Sequence, residues 1–171
     1  MVTHNIKNLI CHNLIAFMES GEELSQDAAT FIGNWILTEA SEKKRSDYDI
    51  WDMVLKSYMP STRPTLYRSC NRRENGKIAS FTGSIYCAQK FSGGKGFLLI
   101  CDTNEALQFA HLDQRGEYRH TFFPLSDLLR KEAQSPNCRF SKRLIEDYTK
   151  EDEYIMRIDL GRMYSCKWYQ R

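Results

Sequence analysis

Two prolines, Pro60 and Pro64, divide the chain into two parts with different hydrophobic patterns. Before them, apolar residues recur every three or four positions, which predicts amphipathic helices that each bury one face. After them, short apolar runs alternate with glycine-containing turns, as is typical of β-strands. Because proline interrupts helices, the helical pattern is expected to end at this point. The sequence therefore predicts an α+β fold, with an N-terminal helical layer followed by a mixed β-sheet.

The length of 171 residues favours one domain with a single core. We expect residues 1–60 to form its helical part and residues 61–171 its sheet part. Hydrophobic residues make up 42% of the chain and charged residues 27%, a globular composition. No apolar run approaches the ~20 residues that a membrane-spanning helix needs, so no membrane association is expected.

Specific elements follow from the same patterns. Three helices are expected around residues 6–18, 28–36 and 50–58, with Ser25 and Ser46 as N-caps. Further helical patterns cover residues 85–91, 105–112, 125–133 and 140–148. Strands are expected at residues 65–70, 77–82, 96–102 and 153–159, the first two joined by a turn at Asn75-Gly76. A last segment, residues 163–169, is predicted to pair with the strand at 153–159.

The six cysteines occur singly, with no C-x-x-C pair. This spacing indicates free thiols in a reducing compartment, and no metal site is expected. Polar residues interrupt the first 17 residues, which argues against a cleaved secretion signal and favours a cytoplasmic location. The formal charge of +2 neither requires nor excludes a nucleic-acid partner.

Basic residues concentrate in two short windows. Such windows are either solvated faces or surfaces that bind anions. The first contains Arg68, Arg72, Arg73 and Lys77; the second contains Arg130, Lys131, Arg139, Lys142 and Arg143.

Two glutamates, Glu151 and Glu153, flank Asp152 at the start of the strand predicted at 153–159. Alternating side chains of a strand point to opposite faces, so the two glutamates are expected to lie side by side. Two adjacent carboxylates raise the pKa of at least one of them unless donors or a ligand compensate. The pair is therefore either a solvent-exposed strand end or part of a site.

Polar groups on two other strands favour a site. Arg68 lies in the apolar run "TLYRSC", and a guanidinium buried in a sheet needs an anion, for which phosphate is a good geometric match. Ser80 and Thr82 alternate with Phe81 in "ASFTGS", which puts two hydroxyls on one face and an aromatic ring on the other. A structural carboxylate could equally satisfy Arg68, and Ser-x-Thr is common in ordinary strands.

Taken together, these segments resemble the R-S-E class of ADP-ribosyltransferases. The class has an arginine on a first strand, here in "LYR" at 66–68, and a Ser-x-Ser or Ser-x-Thr strand followed by a helix, here "SFTGSIYCAQKF" at 80–91. Its third motif is Glu-x-Glu at the start of a late strand, here "EDEYIM" at 151–156. The order of the motifs agrees over roughly residues 65–159. The chain departs from the usual pattern in having Phe81 between Ser80 and Thr82.

The resemblance implies a fold of the ADP-ribosyltransferase type and an enzyme that uses NAD as co-substrate, without a metal. By the same resemblance, Glu153 stabilises the oxocarbenium-like ribose, Ser80 holds Glu153 and the ribose, and Arg68 binds the pyrophosphate. Glu151 orients or deprotonates the acceptor. NAD contacts are also expected from Thr82 and from an aromatic ring on nicotinamide, with three candidates: Phe81, Phe91 and Tyr67.

The acceptor stays open between protein arginine and nucleic acid, because the segment 138–150 interleaves basic and aromatic residues. The resemblance also implies a toxin of a toxin–antitoxin or antiphage system, or a phage effector, and with the former a neutralising antitoxin protein. Two alternatives remain: an NAD glycohydrolase, in which water replaces the acceptor, and a non-catalytic interaction module.

Overall fold

The computed structural model describes residues 3–107 and 121–168. Within these residues the N-terminal layer consists of three helices: α1 (His4–Ser20), α2 (Gln26–Leu37) and α3 (Arg45–Ser57). The predicted cap Ser25 is confirmed, since its Oγ accepts the Ala28 N–H at 3.1 Å. Ser46 is not a cap: Lys44 takes that position, because the Asp47 carboxylate accepts the Lys44 N–H at 2.9 Å, and α3 begins two residues earlier than predicted.

The second part supplies six strands and four more helices among the described residues. The strands are β1 (Thr65–Cys70), β2 (Ile78–Thr82), β3 (Phe97–Asp102), β4 (Phe122–Phe123), β5 (Glu153–Arg157) and β6 (Tyr164–Lys167). The helices are α4 (Ile85–Ser92), α5 (Thr103–Ala106), α6 (Leu125–Ala133) and α7 (Lys142–Thr149). The helix predicted at 105–112 lies partly outside the described residues, which end at Leu107 before this gap. None of the described helices is long and apolar enough to cross a membrane.

The strands form one sheet in the order β4-β5-β2-β1-β3-β6, and its five described pairings are all antiparallel. The α+β class is thus confirmed, whereas the predicted mixed sheet is wrong. The continuous apolar run of β3 reflects its position as an inner strand that is covered on both faces: neighbouring Leu98 and Leu99, whose side chains alternate between faces, are both buried.

The last strand, β6, pairs with β3 and not with β5 as the sequence predicted. A strand has two hydrogen-bonding edges, and those of β5 are occupied by β2 and β4. The short β4 has no alternating pattern in the sequence and was missed. It displaces β6 to the opposite edge of the sheet.

The helical layer and the sheet share a hydrophobic core centred on Trp51, which is fully buried. The Trp51 ring lies 5.2 Å from Phe31 of α2 and 5.3 Å from Phe123 of β4, measured between ring centroids. Aromatic pairs at this separation stabilise packing beyond their buried area. A second cluster, containing Leu66, Phe81 and Leu99, covers the other face of the sheet.

The strands β1 and β2 separate over most of their length. Their register consists of one pair, Tyr67 with Thr82, whereas β1 pairs with β3 over six residues and β2 with β5 over five. The pair lies at the end remote from the connecting loop, residues 71–77, so the strands diverge towards that loop. This opening, the β1–β2 split, leaves backbone groups of two inner strands without ladder partners.

Candidate active site

The serine and the second glutamate meet on neighbouring strands. In the antiparallel ladder of β2 and β5, Ser80 lies opposite Ile155 and Thr82 opposite Glu153. Directly opposed residues share a face, so Ser80 and Glu153 are diagonal neighbours on one face of the sheet. The Ser80 hydroxyl donates to Glu153 Oε1 at 2.5 Å, the length of a charge-assisted O–H···O⁻ bond. The predicted association of these residues is therefore present.

Arg68 fills the β1–β2 split. Its Nη1 donates to the Ser80 carbonyl oxygen at 2.8 Å, which gives that oxygen a partner where the strand ladder is interrupted. Its Nε is buried and has no hydrogen-bond partner. Burial lowers the pKa of the guanidinium, although arginine stays protonated in proteins. Arg68 thus keeps a positive charge and an unused donor beside Ser80.

Glu151 does not lie on the strand with Glu153, as the sequence predicted. The strand β5 begins at Glu153, and the Glu151 N–H donates to the Tyr148 carbonyl at the end of α7, at 3.2 Å. Asp152 has a left-handed backbone with φ +46°, which turns the chain between the two glutamates. The spacing expected from a strand repeat therefore does not apply, yet both side chains line the same cavity.

Thr82 and Gly83 hold this turn in place. The Thr82 hydroxyl donates to the Glu151 carbonyl at 2.6 Å and accepts the Ser84 N–H at 3.1 Å. The Gly83 N–H donates to the Asp152 carbonyl at 3.0 Å, and a Cβ on Gly83 would meet Asp152 Oδ2 at 2.1 Å. Thr82, predicted to contact NAD, thus uses its hydroxyl within the protein to position Glu151.

Ser126, in the first turn of α6, holds the backbone at Glu153. Its hydroxyl accepts the Glu153 N–H at 2.6 Å, and the side chain is almost completely buried. Ser126 was not among the predicted site residues. Its one signal is a serine among apolar positions of an amphipathic helix, which is too common to indicate a site.

The site is a cavity of about 350 Å³, a size typical of small-molecule sites. The strands contribute Arg68, Ser80 and Glu153, and the turn before β5 contributes Glu151. The lining residues that were not predicted as site residues include three with polar or charged groups on their side chains: Trp35, Lys43 and Tyr148.

Trp35 and Lys43 bring the helical layer into the cavity wall. Lys43 Nζ donates to the Trp35 carbonyl at 2.5 Å and to the Thr38 carbonyl at 2.7 Å, which satisfies free acceptors at the end of α2. The same nitrogen lies 4.1 Å from the Trp35 ring centroid, a cation–π distance. In the sequence Lys43 belongs to the charged run "SEKKRSD", which is typical of a solvated surface.

A second cleft of about 530 Å³ adjoins the cavity and shares Arg68, Ser69 and Phe91 with it. It follows the loop of the β1–β2 split. Its further cations are Arg72, Lys77 and Lys95. The one carboxylate in the lining, Glu74, forms an ion pair with Lys77 at 3.3 Å. Much of the first basic window therefore lines a cationic cleft, while Arg73 lies 4.9 Å from the Phe97 ring.

Of the three aromatic candidates for nicotinamide, two have accessible rings. Phe81 is 2% exposed and packs in the second core cluster, on the face of β2 opposite Ser80. Tyr67 is half-buried and lines the cavity. Phe91 is 62% exposed and lies where the cavity and the cleft join.

Both glutamates have a raised pKa because burial disfavours their charged form. The hydrogen bond from Ser80 lowers the Glu153 pKa, and so do the charge of Lys43 and the Trp35 indole N–H. The negative charge of Glu151 raises the Glu153 pKa further. Lys90 lowers the Glu151 pKa. Perturbed carboxyl groups in a cavity are a common feature of functional sites.

The second basic window does not form a continuous surface for polyanions. Arg139 donates to the Leu24 carbonyl at 2.8 Å, which fixes it against the helical layer. Lys142 and Arg143 are highly exposed and pair with acidic residues one helical turn later, at 3.8 and 3.7 Å. Arg130 forms an ion pair with Asp127 at 2.7 Å. Arg130, Lys142 and Arg143 thus each have an acidic partner on their own helix.

Among the described residues, no group of three or more histidine, cysteine or acidic side chains is arranged to hold a metal ion. No protein-family model, curated protein or solved structure matches the chain significantly.

Proposed function

We propose that this protein is a mono-ADP-ribosyltransferase, which transfers ADP-ribose from NAD to a macromolecular acceptor and releases nicotinamide. The observation that carries the proposal is the hydrogen bond of 2.5 Å from Ser80 to Glu153 in a cavity also lined by Arg68. These are the three residues that define the R-S-E resemblance. They are distant in sequence and adjacent in space.

The two connected clefts suit the two halves of a dinucleotide. A nicotinamide riboside fits the chemistry of the cavity, which combines aromatic walls with the Glu153 carboxylate. The cationic cleft suits the adenosine part and its phosphates, because Arg72, Lys77 and Lys95 supply positive charge there. Arg68 lies at the junction, where the pyrophosphate would bind, and its unpartnered Nε is available to a phosphate oxygen.

The proposed chemistry breaks the bond between ribose C1′ and the nicotinamide nitrogen. The bonding electron pair leaves with nicotinamide, and positive charge develops on the ribose. The Glu153 carboxylate stabilises that charge and accepts a hydrogen bond from the ribose 2′-hydroxyl. Ser80 fixes Oε1 of Glu153, so the carboxylate is oriented before the charge develops.

Glu151 is the proposed base for the acceptor. The acceptor forms a bond to C1′ and loses a proton, which Glu151 accepts. Burial raises its pKa above that of an ordinary glutamate, which makes it a stronger base. The bonds from Thr82 and Gly83 to the turn keep Glu151 at the mouth of the same cavity.

The test is nicotinamide release from NAD by the purified protein, with and without cell lysate. We expect release that increases with lysate, and we expect Glu153→Gln to abolish it. Glu146→Gln is a matched control, because Glu146 is an exposed glutamate of α7 outside the cavity. Equal rates for wild type and Glu153→Gln would refute the proposal.

Isotopically labelled NAD separates the remaining alternatives. Label on protein identifies a protein acceptor, and label on RNA or DNA identifies a nucleic acid. Release that never depends on an acceptor indicates an NAD glycohydrolase. A non-catalytic interaction module would release no nicotinamide, and the wild type and Glu153→Gln would affect growth equally when expressed. A toxin would arrest growth, and an antitoxin partner would then relieve it.

A further inference from the structure

We propose that Trp35 and Lys43 of the helical layer are positioning residues for Glu153, which keep its buried carboxylate ionised. The inference rests on the proposed role of Glu153 in the reaction. It goes beyond that role by making the helical layer part of the catalytic apparatus, although its sequence carries none of the motifs.

The first observation is the position of the Trp35 indole. Trp35 is 3% exposed and lines the cavity, and its Nε1 is buried without a hydrogen-bond partner in this structure. An unsatisfied buried N–H is costly, so a functional partner is expected nearby. The indole N–H lowers the pKa of the Glu153 carboxyl group, although it does not reach hydrogen-bonding geometry there.

The second observation is the constraint on Lys43. Its bonds to the Trp35 and Thr38 carbonyls and its contact with the Trp35 ring fix the ammonium group in the cavity wall. A lysine held by two backbone carbonyls and an aromatic ring has little freedom to leave. Burial lowers the Lys43 pKa, and the charge of Glu153 opposes this shift; the charge of Lys43 in turn favours the ionised form of Glu153.

Glu153 has several charged and titratable neighbours, and their effects oppose one another. Glu151 and Tyr148 lie on the β5 side, and the negative charge of Glu151 disfavours the Glu153 carboxylate. Arg68 lies on the β1 side and interacts favourably with Glu153. Asp47 of α3 stabilises the Lys43 charge. Without Lys43, the helical layer would contribute no cation to the cavity wall formed by the described residues.

The Ser80 hydroxyl donates to only one of the two oxygens of the buried Glu153 carboxylate, Oε1. Transition-state stabilisation by this group requires negative charge, and protonation would remove it. A donor and a cation on the helical side supply the additional stabilisation that a buried carboxylate needs.

Four variants test the inference: Lys43→Met removes the charge, Trp35→Phe removes only the N–H, Lys43→Arg retains a charge, and Lys44→Met is the control. Lys44 is the adjacent exposed lysine and does not line the cavity. The first readout is NMR titration of the Glu153 side-chain carboxyl in selectively ¹³C-labelled protein, which requires no substrate. We expect Lys43→Met and Trp35→Phe to raise the Glu153 pKa, Lys43→Arg to keep it near the wild-type value, and Lys44→Met to leave it unchanged. An unchanged pKa in both Lys43→Met and Trp35→Phe would overturn the inference.

The second readout is the pH dependence of kcat/KM for nicotinamide release. The acidic limb should move to higher pH in Lys43→Met and Trp35→Phe, with a loss on the order of tenfold or more at the acid end and little change in KM. A loss that is independent of pH would indicate a merely structural role and would also overturn the inference. If the wild type released no nicotinamide while the two variants raised the Glu153 pKa, the proposed function would fail and the positioning role would stand.

Discussion

Replacement of Ser80 by alanine isolates the contact on which the proposed reaction depends. The variant removes one hydroxyl and leaves Arg68 in place, because the arginine donates to the Ser80 backbone carbonyl and not to its side chain. The lost bond, 2.5 Å from Ser80 Oγ to Glu153 Oε1, joins a donor to a carboxylate. A hydrogen bond to a charged group contributes about 1.5–3 kcal/mol. If the whole of this energy is realised in the transition state, Ser80→Ala should lower kcat by roughly 10- to 150-fold, since about 1.4 kcal/mol corresponds to a factor of ten.

The assay is steady-state nicotinamide release over a range of NAD concentrations and pH values. KM should change little, because the cations proposed to bind the phosphates are untouched. The acidic limb should move to higher pH, because the Ser80 bond lowers the Glu153 pKa. Ser135→Ala, a serine outside the cavity, is the control. A Ser80→Ala enzyme with kcat within twofold of the wild type, or one impaired only in KM, would refute the assigned role.

Four variants test other parts of the structure. Arg68→Ala should weaken NAD binding in titration calorimetry, whereas Glu153→Gln should bind NAD about as well as the wild type; the reverse order would contradict the assigned roles. Glu153→Gln should also be more stable than the wild type at neutral pH in urea unfolding. Because burial raises the Glu153 pKa, the stability that this side chain contributes is present below its unfolded-state pKa and is lost as the pH rises through its folded-state pKa. A stability difference between the variant and the wild type that does not shrink in acid would exclude this cause. Thr82→Val should cost about 1–3 kcal/mol in stability by leaving buried partners unsatisfied, and should reduce acceptor-dependent turnover more than NAD binding. Trp51→Ala should destabilise the fold by about 3–5 kcal/mol in thermal or urea unfolding, and an unchanged stability would mean that Trp51 does not join the helical layer to the sheet.

The site also illustrates a conflict between stability and activity. A buried glutamate beside a second glutamate is unfavourable for the fold, and an arginine with a free Nε inside a split sheet has a similar cost. Such local departures from good packing are expected where a protein binds a ligand. They occur here in the cavity lined by the residues that the motifs identified.

Local periodicity was enough to predict most individual elements. Helix α6 was predicted with its observed ends, and so was strand β1, because amphipathic spacing and strand-length apolar runs depend on neighbouring residues alone. The order Arg68, Ser80 and Glu153 was also readable, since each residue stands in a recognisable local context. The strand β4 was not predictable, because an alternating pattern of apolar and polar residues cannot be recognised in a strand of two residues.

Only the tertiary structure decided which distant groups meet. The direction of the strands and the pairing of β6 with β3 depend on which hydrogen-bonding edges of the sheet remain free. The turn at Asp152 depends on a backbone angle that no periodicity encodes. Ser126, Trp35 and Lys43 reach the site from helices and a linker whose sequences are ordinary. The sequence by itself determined the chemical groups and the local elements that carry them. Their convergence is a property of packing, because contacts between residues far apart in the chain form only when the helical layer closes over the split sheet.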